Sequence, residues 1–153
     1  MAEEPTRAID RFLELLDRLR RLGPEQPPFE EIQITPSQLL LLDRIVASPG
    51  CSIREAATAL GLTSPTVSVG VRRLEEVGLV ERRPDARDRR AVRLFATPRG
   101  EALQQRAQAY RRQKAHRLLA DLTLQEQAQL LDLLDRAIST AEEAVDREDA
   151  ANS

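Results

Sequence analysis

Residues 52–97 read SIREAATALGLTSPTVSVGVRRLEEVGLVERRPDARDRRAVRLFAT and contain the patterns of two short helices, a tight turn and a hairpin. Ser52 is a favourable N-cap, and Glu55 lies three residues later, where a capping box places an acidic side chain. Four apolar residues then fall on one helical face: Ile53, Ala56, Ala57 and Leu60. Gly61 ends this first helix, because glycine adopts the left-handed conformation of a helix C-terminus without steric cost.

A second helix is predicted to begin at Thr63 or Ser64 and to end near Val77, with Pro65 accommodated in its first turn. Its buried stripe consists of Val67, Val71 and Leu74. Its polar face carries short hydroxyl side chains and arginines: Ser64, Thr66, Ser68, Arg72 and Arg73. Two short helices joined by a glycine-containing turn are typical of a helix-turn-helix, in which such a face contacts base edges and phosphates in a DNA major groove.

After Gly78 the pattern becomes that of a β-hairpin, with β-forming residues at 79–83 and 91–96. The connecting residues 84–90, PDARDRR, begin with a turn-forming Pro-Asp pair but are too many for a two-residue hairpin loop. The tip is rich in arginine: Arg87, Arg89 and Arg90. An arginine cluster is most often a solvated surface. Directly after a helix-turn-helix it is also placed to reach the flanking minor groove and the DNA backbone.

This stretch resembles the MarR family of transcriptional regulators. The resemblance rests on residues 62–68 (LTSPTVS), 73–75 (RLE), 78–80 (GLV), 88–92 (DRRAV) and 97–100 (TPRG). It implies a homodimer that binds a pseudo-palindromic operator. By position in the motif, Arg90 corresponds to the wing arginine that enters the minor groove, and Asp88 to the acidic residue that orients it.

Two residues of the second helix depart from the family's pattern. The family often has a basic residue directly after the position of Ser68, whereas this chain has Val69 followed by Gly70. A glycine inside a helix costs about 1 kcal/mol relative to alanine. Some DNA contacts are therefore missing, or are supplied by Arg72 and Arg73. The departure leaves a second interpretation open, a winged-helix protein-interaction module with weak or lost DNA binding.

Charge is distributed unevenly along the chain, although the formal net charge is only −2. Residues 63–99 contain nine arginines and five acidic residues, which give a local net charge of +4. Residues 139–153 contain five acidic residues and one arginine, which give −4. Because phosphates respond to local charge, the low total does not exclude a nucleic-acid-binding protein.

The chain has 153 residues, 41% of them apolar, which suits one domain with a dimerisation extension. We predict a mainly α fold of about six helices with a two- or three-stranded β-wing. Residues 1–34 form an N-terminal dimerisation helix and a proline-rich linker at 23–28. Residues 35–97, called the winged head below, form the DNA-binding domain. Residues 98–153 form C-terminal dimerisation helices and an acidic tail.

Helices at both ends of the chain carry apolar stripes that have to be buried against something. The stripe of the first helix consists of Ile9, Phe12, Leu13, Leu16 and Leu19. The stripe of the last helix has a coiled-coil-like spacing and consists of Leu124, Leu131, Leu134, Ile138, Ala141 and Val145. An intramolecular core and a dimer interface both satisfy this requirement. We favour the dimer, because a two-fold DNA-binding site calls for a two-fold protein.

No catalytic constellation is recognisable, so we predict that the protein is not an enzyme and holds no cofactor and no metal. Cys51 is the only cysteine and His116 the only histidine, which leaves a tetrahedral zinc site short of ligands. Cys51 is interpreted as a buried small apolar residue, with a redox-sensing thiol as the alternative.

The family resemblance also implies a small aromatic or phenolic effector, bound in a cleft. The aromatic residues that could line it are Phe12, Phe29 and Tyr110. Phe12 and Tyr110 are the candidates; Tyr110 is the better one, because its hydroxyl group can orient a ligand, whereas an ordinary core position is the alternative for Phe12. The acidic N-terminus lacks a signal peptide's apolar core, and no apolar run is long enough to span a bilayer. We therefore expect a cytoplasmic DNA-binding transcriptional regulator, acting as a ligand-responsive repressor.

Overall fold

The computed structural model describes residues 3–22 and 32–151. These residues form six α-helices and one hairpin in the order α1 (Glu3–Arg21), α2 (Pro36–Ala47), α3 (Ile53–Leu60), α4 (Ser64–Glu76), β1 (Val80–Pro84), β2 (Val92–Ala96), α5 (Pro98–Leu119) and α6 (Leu124–Ala151). The mainly α winged helix-turn-helix fold is therefore confirmed. The predicted linker at 23–28 lies outside the described residues, and the division into residues 1–34, 35–97 and 98–153 stays a prediction.

Local capping determines where the helices of the winged head begin. The hydroxyl of Thr35 accepts the N–H of Gln38, and the Gln38 amide oxygen accepts the N–H of Thr35. Ser52 and Glu55 form the same reciprocal pair at the start of α3. Gly61 ends α3 with a left-handed φ of 63°. The sequence predicts the boundaries at Ser52 and Gly61 correctly, because each cap involves residues only a few positions apart.

The chain divides into two compact units between Arg112 and Gln113, and the apolar core lies within the first unit. In this unit α2 packs against α3, α4 and β2, and α3 packs against α4. The predicted α4 stripe of Val67, Val71 and Leu74 is fully buried. The remaining buried apolar side chains are Ile34, Leu39, Leu41, Leu42, Ile45, Cys51, Ala56, Ala57, Leu79, Val80, Leu94, Leu103 and Ala107.

The wing is a two-stranded antiparallel sheet in which Val80 of β1 lies opposite Ala96 of β2. The possible third strand is reduced to a single antiparallel bridge between Cys51 and Leu94. This bridge attaches the connection between α2 and α3 to strand β2 of the wing.

Two helical glycines mark places where elements pack closely. A Cβ on Gly100 would lie 2.0 Å from the carbonyl oxygen of Leu79. A Cβ on Gly70 would lie 2.8 Å from Cδ2 of Leu41 in α2. Gly70, which helix propensity disfavours, therefore lies where α4 packs on α2.

The second compact unit contains the end of α5 and all of α6. Its helix-to-helix turn is closed by a capping box, in which the Glu126 carboxylate accepts the N–H of Thr123 at 2.8 Å and Thr123 accepts in return. The Gln127 amide also donates to the carbonyl oxygen of Leu119. Thr123 is thus the N-cap of α6.

Candidate nucleic-acid interface

The polar face of α4 is available for contact with another molecule. Its exposed members are Ser64, Pro65, Thr66 and Arg72, and Ser68 is half-buried. The Thr66 hydroxyl lies 2.8 Å from the hydroxyl of Thr63, which is the N-cap of the helix. The cap therefore orients one of the hydroxyl groups that the sequence predicts to contact base edges.

Arg73 differs from the other residues predicted on this face. Its guanidinium donates to the carbonyl oxygen of Gln33 and pairs with Glu76, both at 3.4 Å. The contact with Gln33 ties α4 to the segment before α2, so it gives Arg73 a packing role. Within residues 3–22 and 32–151, Arg72 has no hydrogen-bond or ion-pair partner.

Two aspartates fold the wing tip. Asp85 accepts the N–H of Arg87 at 2.7 Å and the N–H of Asp88 at 3.4 Å. Asp88 in turn accepts the N–H of Arg90 at 3.0 Å. Side-chain acceptors of this kind stabilise tight turns. Asp88 therefore fixes the main chain of Arg90, while the Arg90 side chain stays exposed.

Arg93 anchors the folded wing to the rest of the winged head. Its Nε donates to Asp85 at 2.6 Å, and its Nη1 lies 3.5 Å from the Glu55 carboxylate and 3.4 Å from the Gly50 carbonyl oxygen. The N–H of Arg87 and then the Arg93 side chain lower the pKa of Asp85. The sequence analysis did not predict this anchor. The aspartate directly after the turn proline was a local indication of it, but the contact with Glu55 joins residues that are distant in sequence.

The arginines of residues 63–99 divide into engaged and unpaired groups. Arg82 pairs with Glu75 at 2.9 Å, and Arg83 pairs with Glu81 and lies over the Phe95 ring. The engaged group consists of Arg73, Arg82, Arg83, Arg93 and Arg99. Across the described parts of the chain, no acceptor lies within bonding range of the guanidinium groups of the other four, Arg72, Arg87, Arg89 and Arg90. Within residues 63–99, the unpaired guanidinium groups thus lie at one position of α4 and at three positions of the wing tip.

Cys51 lies in the core of the winged head, with 6% of its surface exposed. Burial raises the pKa of its thiol, and the nearby Arg44 opposes this effect only in part. A thiol with a raised pKa forms little of the reactive thiolate. The predicted burial is therefore confirmed, and the environment favours a structural role.

The two candidate effector contacts lie on different helices. Phe12 is about half exposed on α1, and Tyr110 is half-buried on α5. Within the described residues no ring contact or hydrogen bond joins them, and Phe29 lies outside those residues. The effector site therefore stays a prediction.

Membrane-spanning helices and metal-binding clusters are both absent from residues 3–22 and 32–151. No helix there is both long and apolar enough to cross a membrane. No three His, Cys, Asp or Glu side chains in these ranges converge in a way that would hold a metal ion.

Comparison with known proteins places this architecture in a family. Residues 32–91 match the MarR family model. The transcriptional repressor Rv2887 of Mycobacterium tuberculosis is 31% identical over 123 residues, which are 77% of this chain and 88% of that protein. The apo crystal structure of Escherichia coli MarR has a TM-score of 0.61 and 27% identity, covering 86% of this chain and 95% of that one. The Streptomyces coelicolor regulator PcaV, crystallised with its natural ligand, has a TM-score of 0.63 and 27% identity, covering 92% and 95%. This chain belongs to the MarR family of transcriptional regulators.

Proposed function

We propose that this chain represses transcription by binding a pseudo-palindromic operator in double-stranded DNA as a homodimer. As a member of a family of transcriptional regulators, it is not an enzyme. The observation that carries DNA binding is the location of the unpaired arginines, Arg72 on α4 and Arg87, Arg89 and Arg90 on the wing tip. Cations without an internal partner are free to neutralise phosphates and release counterions.

The two elements have different roles in this proposal. Ser64, Thr66 and Ser68 on α4 contact base edges in the major groove, with Arg72 on the adjacent backbone. The wing tip lies against the flanking minor groove, which Arg90 enters. Asp88 acts on Arg90 through the main chain, because its carboxylate accepts the Arg90 N–H.

The dimer is supported by the apolar side chains that a single chain leaves in water. Four large apolar side chains on α1 are 44–60% exposed and six on α6 are 41–84% exposed. Exposed apolar faces of this extent mark interaction surfaces. A second copy is the occupant that also gives the two-fold symmetry of a palindromic operator.

Effector control is supported by relatives and by one ion pair. PcaV was crystallised with its natural ligand. In this chain Arg111 of α5 makes two contacts to the Asp43 carboxylate of α2, at 2.8 and 3.1 Å, so α5 is coupled to the winged head. A small aromatic or phenolic ligand near Phe12 and Tyr110 would release DNA by changing the separation of the two heads, to the extent that it binds one arrangement more tightly. A protein with this role acts in the cytoplasm.

Selection of bound duplexes from a random DNA pool tests the proposal. We expect an enriched pseudo-palindrome with one half-site per protomer, and retention that falls steeply with added salt. The alternative, a winged-helix protein-interaction module, predicts no enriched sequence and no salt-dependent retention.

A further inference from the structure

Val69 is an apolar side chain in an unexpected place. It lies on α4 and is 67% exposed, more than any other large apolar side chain of the winged head. Single exposed apolar residues are common on protein surfaces, so exposure alone assigns no role. Val69 differs from most such exposed residues in its position on α4.

Val69 occupies the middle of the face that α4 turns outward. Pro65 lies four residues before it and Arg72 three residues after it, and both are exposed, so the three share one face. The fully buried stripe of α4 lies on the opposite side of the helix. By helical spacing its other neighbours include the hydroxyl-bearing Thr66, and the guanidinium of Arg72 is unpaired. A polar and cationic face of this kind suits DNA better than the apolar core of a protein interface.

We infer that Val69 recognises the C5-methyl group of a thymine in each half-site of the operator. This inference rests on the proposed function and adds a specificity determinant to it. The thymine methyl is the apolar group that the major-groove edges of bases present, and apolar side chains contact it. Valine suits this contact because its branched side chain has one strongly preferred rotamer in a helix and presents two methyl groups without any polar atom.

The physical alternative at this position is a basic side chain, which would bind guanine or a phosphate. Val69 offers neither contact, so α4 leaves the electrostatic role to Arg72 and the wing. Val69→Arg is therefore expected to move the base preference at this position from thymine to guanine.

The test uses the selected operator with each thymine replaced in turn by deoxyuridine, which removes only the C5-methyl group. For the unmodified protein, we expect one thymine per half-site at which replacement weakens binding about fourfold, the factor that corresponds to ~0.8 kcal/mol for one buried methyl-sized group. Val69→Ala should bind the thymine and deoxyuridine duplexes equally at that position. Its response at every other thymine should match that of the unmodified protein.

Two matched variants complete the design. Val69→Thr keeps one methyl group at the same branch point and should retain part of the thymine preference, whereas Val69→Ser should lose it. Because Val69 is exposed, all these variants are expected to fold. If an operator is selected but no deoxyuridine effect depends on residue 69, this inference is overturned and the proposed function stands. If no DNA is selected at all, both are overturned.

Discussion

The winged head and the outer helices α1 and α6 differ in whether their apolar side chains are buried within one chain. In the winged head the apolar faces of three helices and the wing close on each other, and Leu42, Ile45 and Leu74 are wholly buried. On α6 the apolar stripe remains open to solvent, with Leu131 and Ile138 more than half exposed. The winged head is therefore complete within one chain, whereas the outer helices need a further surface.

The largest expected effect comes from breaking the open stripe. Leu134→Arg combined with Ile138→Glu places charges in the proposed interface, where an unpaired buried charge costs about 3–5 kcal/mol. We expect dimerisation to weaken by a thousandfold or more while the winged head stays folded. Size-exclusion chromatography with light scattering measures the first effect, and circular dichroism the second.

The matched control exchanges charges on the opposite side of α6. Asp132→Arg with Arg136→Glu reverses an exposed ion pair of the same helix. This control should remain dimeric. A dimeric Leu134→Arg, Ile138→Glu double variant would place the interface elsewhere.

The closed packing of the winged head is tested at its glycines. Gly100→Ala places a methyl group against the main chain of Leu79, which cannot rotate away, so we expect a loss of about 3 kcal/mol in unfolding free energy. Gly70→Ala meets only the end of the Leu41 side chain and gains about 1 kcal/mol of helix propensity, so its net effect should be near zero.

Urea unfolding at one fixed protein concentration measures both glycine variants. Equal losses for Gly70→Ala and Gly100→Ala would show that close packing of the main chain does not distinguish these two positions.

Features that depend on nearby residues could be predicted from the sequence, whereas features that depend on distant residues could not. The helix boundaries at Ser52, Gly61 and Thr123 were predictable, because caps and breakers act over a few residues. The apolar stripes of α1 and α6 were predictable from helical periodicity, but their exposure in the single chain is known only from the structure.

Long-range contacts were not predictable in this way. The anchoring of Asp85 by Arg93 and Glu55, the contact of Arg73 with Gln33, and the need for a glycine at position 100 depend on which elements meet in space. Composition showed that residues 63–99 are basic, but only the fold shows which arginines are already paired.

A smaller effect is expected from comparing an unpaired arginine with an engaged one. Arg90→Ala should weaken binding to operator and unrelated DNA alike and reduce the magnitude of the log–log salt slope by about 0.9 for each phosphate that is no longer neutralised. Arg82→Ala should leave the slope unchanged, because Arg82 is paired with Glu75. Asp88→Ala should weaken DNA binding and reduce the salt slope in the same direction as Arg90→Ala, but by less.

A salt titration of binding on both DNAs measures these slopes. An unchanged affinity and slope for Arg90→Ala would mean that the wing does not contact DNA.

The smallest effect is expected inside the closed core. Cys51→Ala should cost about 1 kcal/mol of stability, a typical value for a point substitution, and leave DNA binding intact. Because burial keeps the pKa of the thiol high, peroxide treatment should not change operator binding by the unmodified protein. The measurement is operator binding before and after peroxide treatment. A peroxide-driven release that disappears in Cys51→Ser would show that the thiol is a sensor.

The central claim is that the winged head buries its apolar side chains within one chain, whereas α1 and α6 need a second chain to bury theirs. The mass of the protein in solution tests this claim most directly. Light scattering at micromolar concentration should give twice the chain mass of 17.2 kDa. A mass of one chain at that concentration would contradict the account, since the stripes of α1 and α6 would then remain open to water in the folded protein.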